Sequence, residues 1–261
     1  MTSAMRLLAT SVLACGCLAG CVADVDARGK QQLTACYDAH GRGDDAEAIQ
    51  RASEFLREYA PSVRDDEAYY LRGLALSRQG DPVDARADLA RAAESKRRGV
   101  RARALLALGD LALAAGRLER AETFYRRSLS ESAARRTPAQ HAGLRLGYVL
   151  QRKGQWADAD VRFSRVMHYF PNSKQAQWAG ARMHGRAWTV RAGAFARRGG
   201  AMKTAADLAK AGLPAAVTAE MRGGGVIHVV SVGRYVQYRQ AEAALGKVRR
   251  LRKGAYIGVA K

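Results

Sequence analysis

Cysteine, long apolar runs and, toward the C-terminus, acidic residues are what this 261-residue chain has least of. Of its four cysteines, Cys15, Cys17 and Cys21 fall in the first 21 residues, so Cys36 stands alone in the body of the chain. A lone thiol closes no disulfide framework and builds no cysteine-ligated metal centre. Cys36 is therefore expected to be a small buried side chain. Beyond the N-terminus no apolar stretch approaches the roughly 20 residues that a membrane-spanning helix needs. Catalytic signatures are missing too: there is no HExxH, no GxSxG and no histidine pair at metal-ligand spacing. Residues 186–261 hold only three carboxylates, Asp207, Glu220 and Glu242, too few and too dispersed for a two-carboxylate glycosidase site. No enzyme, no cofactor and no metal are expected.

What is present starts with MTSAMRLLATSVLACGCLAGC. One arginine precedes an apolar run that is too short to span a bilayer, which is the layout of a secretory signal peptide. Leu18-Ala19-Gly20-Cys21 resembles the lipobox of bacterial lipoproteins. The resemblance implies a signal peptide over 1–20 and a lipidated Cys21 as the mature N-terminus, with a tether over 21–29. Cys15 and Cys17 have poorer upstream residues. Val22 in place of an aspartate implies, by the same resemblance, an outer-membrane lipoprotein facing the periplasm, held to the membrane by its lipid.

About 240 mature residues are enough for two domains. Charge separates them. Residues 30–173 carry 25 Lys+Arg against 19 Asp+Glu, whereas residues 186–261 carry 15 against 3. The second part should attract anionic partners. An exported basic domain argues against nucleic acid as that partner.

Gly43, Gly80, Gly116 and Gly154 recur at spacings of 37, 36 and 38, each opening a frame with alanine five residues on: GDDAEA, GDPVDA, GRLERA and GQWADA. A small residue stands seven positions before each: Cys36, Gly73, Gly109 and Gly147. Helical periodicity flanks every frame, as in Leu71, Leu74 and Ala75, then Ala85, Leu89 and Ala92. Stacked helical hairpins follow. The pattern resembles the tetratricopeptide repeat, best in the fourth copy with Leu146-Gly147, Gly154, Ala159, Phe163 and Pro171. The resemblance implies an α-helical solenoid over 30–183, four hairpins plus a capping helix at 173–183, and a protein partner bound in its groove. A spacer without a partner is the alternative.

In the last 76 residues, Val190-Arg191-Ala192-Gly193-Ala194-Phe195 and Val230-Ser231-Val232-Gly233-Arg234-Tyr235 match at an offset of 40. Helical stripes follow both, Ala201, Ala205 and Leu208 and then Ala241, Leu245 and Val248. Further strands are expected at 215–221 and 255–260, with Gly223-Gly224-Gly225 as a hairpin loop. Two βαβ halves with right-handed crossovers predict a small α+β ferredoxin-like (βαββαβ) domain over 186–261, separately folded, with both helices on one face. Strict alternation places Arg191, Gly193, Phe195, Val229, Ser231 and Tyr235 on the open face. His228 takes core parity.

The TVRAGAF and SVGRY segments, with a helix ending in Ala211-Gly212 between them, resemble the SPOR (sporulation-related repeat) domain. The resemblance implies binding of peptidoglycan glycan strands stripped of stem peptides, through the open face, and enrichment at the division septum. Arg191 stands where the family often has glutamine. Two readings stay open: a glycan-binding envelope lipoprotein of cell division or wall remodelling that scaffolds a partner on its repeats, or an outer-membrane assembly scaffold acting through the repeats alone.

Overall fold

The computed structural model describes residues 24–133 and 137–260. The leader peptide expected over 1–20 and the lipidation candidate Cys21 lie outside the described residues. Four antiparallel helical hairpins follow one another: α1 (Ala27–Arg42) with α2 (Asp45–Tyr59), α3 (Asp65–Gln79) with α4 (Pro82–Ala92), α5 (Arg98–Ala114) with α6 (Leu118–Glu131), and α7 (Thr137–Arg152) with α8 (Trp156–Tyr169). A ninth helix, α9 (Lys174–Arg182), covers the last hairpin through Ala176 and Ala179. The first helix begins three residues ahead of 30, and Val25 before it is already buried.

Local chemistry explains the helix ends. Asp26, Asp44, Asp81 and Ser173 accept backbone N–H groups of the first turns of α1, α2, α4 and α9. The four repeat glycines all take positive φ, between 71° and 88°, which closes each turn. The small residues ahead of them let paired helices touch. A Cβ on Gly109 would lie 2.5 Å from the ring of Tyr125, and one on Gly147 would lie 2.3 Å from Phe163. Gly73 faces Leu89 in the same way, at 2.8 Å. In the first hairpin Cys36 takes this place, fully buried, with its thiol donating to the Ala48 carbonyl at 3.5 Å.

The C-terminal unit runs β1 (Ala187–Phe195), α10 (Arg198–Lys210), β2 (Ala215–Arg222), β3 (Gly225–Tyr235), α11 (Tyr238–Leu251) and β4 (Tyr256–Ala260). Its sheet is antiparallel throughout, in the order β2-β3-β1-β4, so the strands that open each half are the central neighbours. Val190, Ala192, Val230 and Val232 bury one face against Ala201, Ala205, Leu208, Ala244 and Val248 of the two helices. That is the expected ferredoxin-like arrangement behind a tetratricopeptide-type solenoid.

The junction between the units is packed. Trp188, the second residue of β1, is fully buried. Its indole meets Tyr148 and Trp156 of the last hairpin on one side and Tyr238 of α11 on the other, at ring-centroid distances of 6.2, 5.3 and 4.8 Å. Tyr148 donates to the Tyr238 hydroxyl at 3.1 Å. The Arg152 guanidinium stacks over Tyr238 at 4.2 Å, and that of Arg182 over Tyr148 at 4.7 Å. The connection itself is pinned: Asp160 of α8 accepts the His184 N–H at 3.0 Å and Arg186 Nη1 at 2.9 Å. The first strand of the C-terminal unit thus packs its Trp188 against solenoid side chains as well as its own.

Candidate functional site: the open sheet face

Helices cover one face of the four-stranded sheet, which leaves the other for a ligand. Pairing of Arg191 with Ser231, and the position of Val229 two residues earlier on β3, puts these three on the open face as alternation predicted. Gly193, Phe195 and Tyr235 are elsewhere. Between the pairs Arg191–Ser231 and Gly193–Val230 the register shifts, with Ala192 as the extra residue. Gly193 thereby falls on the helix side, where a Cβ would sit 2.9 Å from the Phe195 ring. Phe195 packs against the helix-side core, beside Gly200, with the Arg252 guanidinium 5.6 Å from its ring centre.

A second shift lies between Val190–Val232 and Trp188–Tyr235, where Gly233 takes φ 68°. Only glycine adopts that conformation cheaply. Thr189 locks the bulge by donating its hydroxyl to the Gly233 carbonyl at 2.8 Å. Tyr235 consequently turns to the helix side and packs with Trp188 and Ala241. A bulge adds one residue to one strand and inverts the parity beyond it, so strict alternation fails at both ends. His228, opposite Phe195, keeps its helix-side parity but is only half-buried.

The open face is organised around Arg191 instead. Its side chain passes over Gly258 of β4, where a Cβ would come within 3.0 Å of Nε. Its Nη1 then meets both oxygens of Glu220 on β2, at 3.0 and 3.2 Å. Because β3 lies between β1 and β2, the ion pair crosses that strand at Val229, which is only 2 % exposed. Thr218 borders the pair on β2, opposite Val229, and Ser231 on β3. Tyr256 of β4 pairs with Arg191 in register and is half exposed, which makes it the aromatic side chain of this face. Sequence reasoning located its strand without giving it a face. The signal was there: Ile257 and Val259 alternate with it and pack with Trp188 in the core.

On the solenoid, a small pocket of about 240 Å³ opens between the first helices of three hairpins, lined by His40, Leu74, Arg78, Ala107 and Asp110. Burial and the neighbouring Arg78 guanidinium both lower the pKa of His40, so its imidazole favours the neutral form. Asp110 is already engaged, by Arg145 at 3.1 Å and by the Tyr125 hydroxyl at 2.7 Å. Among the described residues no group of three or more His, Cys, Asp or Glu could hold a metal ion, and no helix is long and apolar enough to cross a membrane.

With this geometry in place, the comparisons are specific for the C-terminal unit: residues 185–257 match the family model of the SPOR domain. The sheet unit is a SPOR domain. Residues 141–173, spanning most of α7 and all of α8, match a tetratricopeptide repeat. Both are binding modules rather than catalytic families; the SPOR domain suggests peptidoglycan binding and the repeat a protein partner. No curated protein matches the chain. Among solved structures, MamA aligns at 21 % identity over 54 % of this chain and 77 % of its own, with a TM-score of 0.46. A tetratricopeptide repeat protein from Parabacteroides merdae aligns at 19 % over 59 % and 57 %, TM-score 0.48. PilW, a widely conserved type IV pilus biogenesis factor, aligns at 19 % over 57 % and 66 %, TM-score 0.47. These likenesses concern fold and say nothing of ligands.

Proposed function

We propose that this protein is an envelope lipoprotein, anchored through Cys21 in the outer membrane, that grips denuded peptidoglycan glycan strands with its SPOR domain. Its repeats hold a protein partner at the same place, in septal division or wall remodelling. The observation that carries the reading is the Arg191-centred open face. An amidase that removes a stem peptide leaves the lactyl carboxylate of the muramic acid, one negative charge per disaccharide. Glu220 engages Arg191 through Nη1 alone, and the other guanidinium nitrogens have no protein partner among the described residues. A planar guanidinium binds a second carboxylate through parallel hydrogen bonds in a way glutamine cannot. Ser231 and Thr218 offer hydroxyls, and the exposed ring of Tyr256 offers a platform for a sugar face.

The test is a pull-down of the full chain with peptidoglycan before and after amidase stripping. Binding should rise on stripping. Arg191→Gln should weaken it by an amount on the order of 1.5–3 kcal/mol, the worth of a charge-assisted hydrogen bond, and flatten its salt dependence. Equal capture of stripped and intact wall would reject the denuded-strand reading. Unchanged affinity at low salt in both Arg191→Gln and Arg191→Ala would remove Arg191 from it.

A further inference from the structure

The excess positive charge of the SPOR domain is not on the face just described. Ten of the fifteen basic residues in 186–261 fall within 197–210 and 239–253, on α10, α11 and the residues flanking them. Those stretches contain two acids, Asp207 and Glu242. No ion pair among the described residues includes any of the ten, whereas Arg191 on the open face is paired. Arg198, Lys203, Lys247 and Arg250 are all exposed, outside the helix positions that bury against the sheet. The fold concentrates them further. Arg252, just after α11, stacks over the Phe195 ring, and Gly200 in the first turn of α10 lies beside the same ring, so the end of α11 and the start of α10 converge on one side chain. The solenoid contacts the other end of α11, at Tyr238.

Large apolar side chains stand among these cations. Met202 on α10 is 50 % exposed and Leu251 at the end of α11 is 52 % exposed. Cations interspersed with exposed apolar side chains, on two helices that cover the same face of one sheet, match an interface that is anionic at the headgroups and apolar just beneath. A hydrated polysaccharide chain would use the charges and leave Met202 and Leu251 in water.

We propose that the α10–α11 layer is a docking surface for an anionic lipid bilayer, with the open sheet face turned away from the membrane toward the wall. One face of the domain then reads the lipid surface while the opposite face remains available. This surface is independent of the open-face reading, since the two share no residue.

The experiment uses the full chain carrying Cys21→Ser, so that acylation cannot contribute. It measures co-sedimentation with vesicles of phosphatidylcholine alone or of phosphatidylcholine with phosphatidylglycerol. Binding should require phosphatidylglycerol and fall at high salt. The combined variant Arg198→Gln, Lys203→Gln, Lys247→Gln and Arg250→Gln should bind at least about tenfold more weakly, because each cation near an anionic surface contributes additively. All four sites are exposed, and an unchanged thermal transition would verify the fold. The same variant should still bind stripped peptidoglycan, which separates failure of this proposal from failure of the other. Equal binding to the two vesicle types, an undiminished combined variant, or capture by anionic wall polysaccharide without capture by vesicles would each overturn the proposal.

Discussion

Replacing Trp188 by alanine should loosen both halves of the protein at once. The indole is fully buried, and its neighbours come from two units: Tyr148 and Trp156 from the solenoid, Tyr238, Ala241 and Val259 from the SPOR domain. Deleting a buried Trp to Ala costs about 3–5 kcal/mol. Domains of this size have roughly 5–15 kcal/mol in total, so the loss is a large fraction. Because Trp188 also sits in the SPOR core, the discriminating variant is Tyr148→Ala, which changes only solenoid atoms. It removes one edge-on contact with Trp188, another with Tyr238 at 6.2 Å, and the hydroxyl–hydroxyl bond. Aromatic pairs contribute about 0.5–1.5 kcal/mol each beyond burial, so about 2 kcal/mol should disappear from the junction. Native-state hydrogen exchange is the assay. Amides of β1 and β4, paired from Ala187–Ala260 to Arg191–Tyr256, should lose protection in Tyr148→Ala although no residue of the SPOR domain has changed. Unaltered protection there, with loss confined to α7 and α8, would refute coupling through this junction.

Gly109→Ala puts a Cβ 2.5 Å from the Tyr125 ring and should lower stability by about 1–3 kcal/mol; chemical denaturation measures it, and adding Tyr125→Leu should recover part of the loss. Burial pushes the Cys36 thiol up to about 11 from its ordinary value of 9.0. The folded state then holds its proton in a window where the unfolded state releases it, so stability falls as pH rises from about 9 toward about 11. Cys36→Ala should show a shallower alkaline decline, compared by urea midpoints at about pH 8 and about pH 10. The native thiol should also resist alkylation at neutral pH until the protein is unfolded. Cys21→Ser should release the protein from the membrane fraction at high salt, where the electrostatic contribution of the α10–α11 layer is screened.

Much of this architecture was written locally. A turn glycine with positive φ, a small residue seven positions earlier and an apolar stripe of helical period each act over a few residues, so the four hairpins and the βαββαβ order could be read directly. The repeated frames at 190 and 230 likewise located the two central strands. Face assignment held only as far as the strands stayed regular. Bulges at Ala192 and Gly233 arise from how β1 and β3 register against each other, and they carried Phe195 and Tyr235 to the helix side. Composition counted the cations but could not sort them. Arg191 meets Glu220 across β3 from 29 residues away, while the cations of α10 and α11 make no ion pair among the described residues. The junction is equally non-local, joining Tyr148 to Tyr238 across 90 residues around Trp188. Helix starts and turns depend on backbone conformations that short stretches of chain select for themselves. Which side chain meets which partner depends on packing among strands and helices far apart in the chain, so the site, its charge and its attachment to the repeats were decided by the tertiary structure.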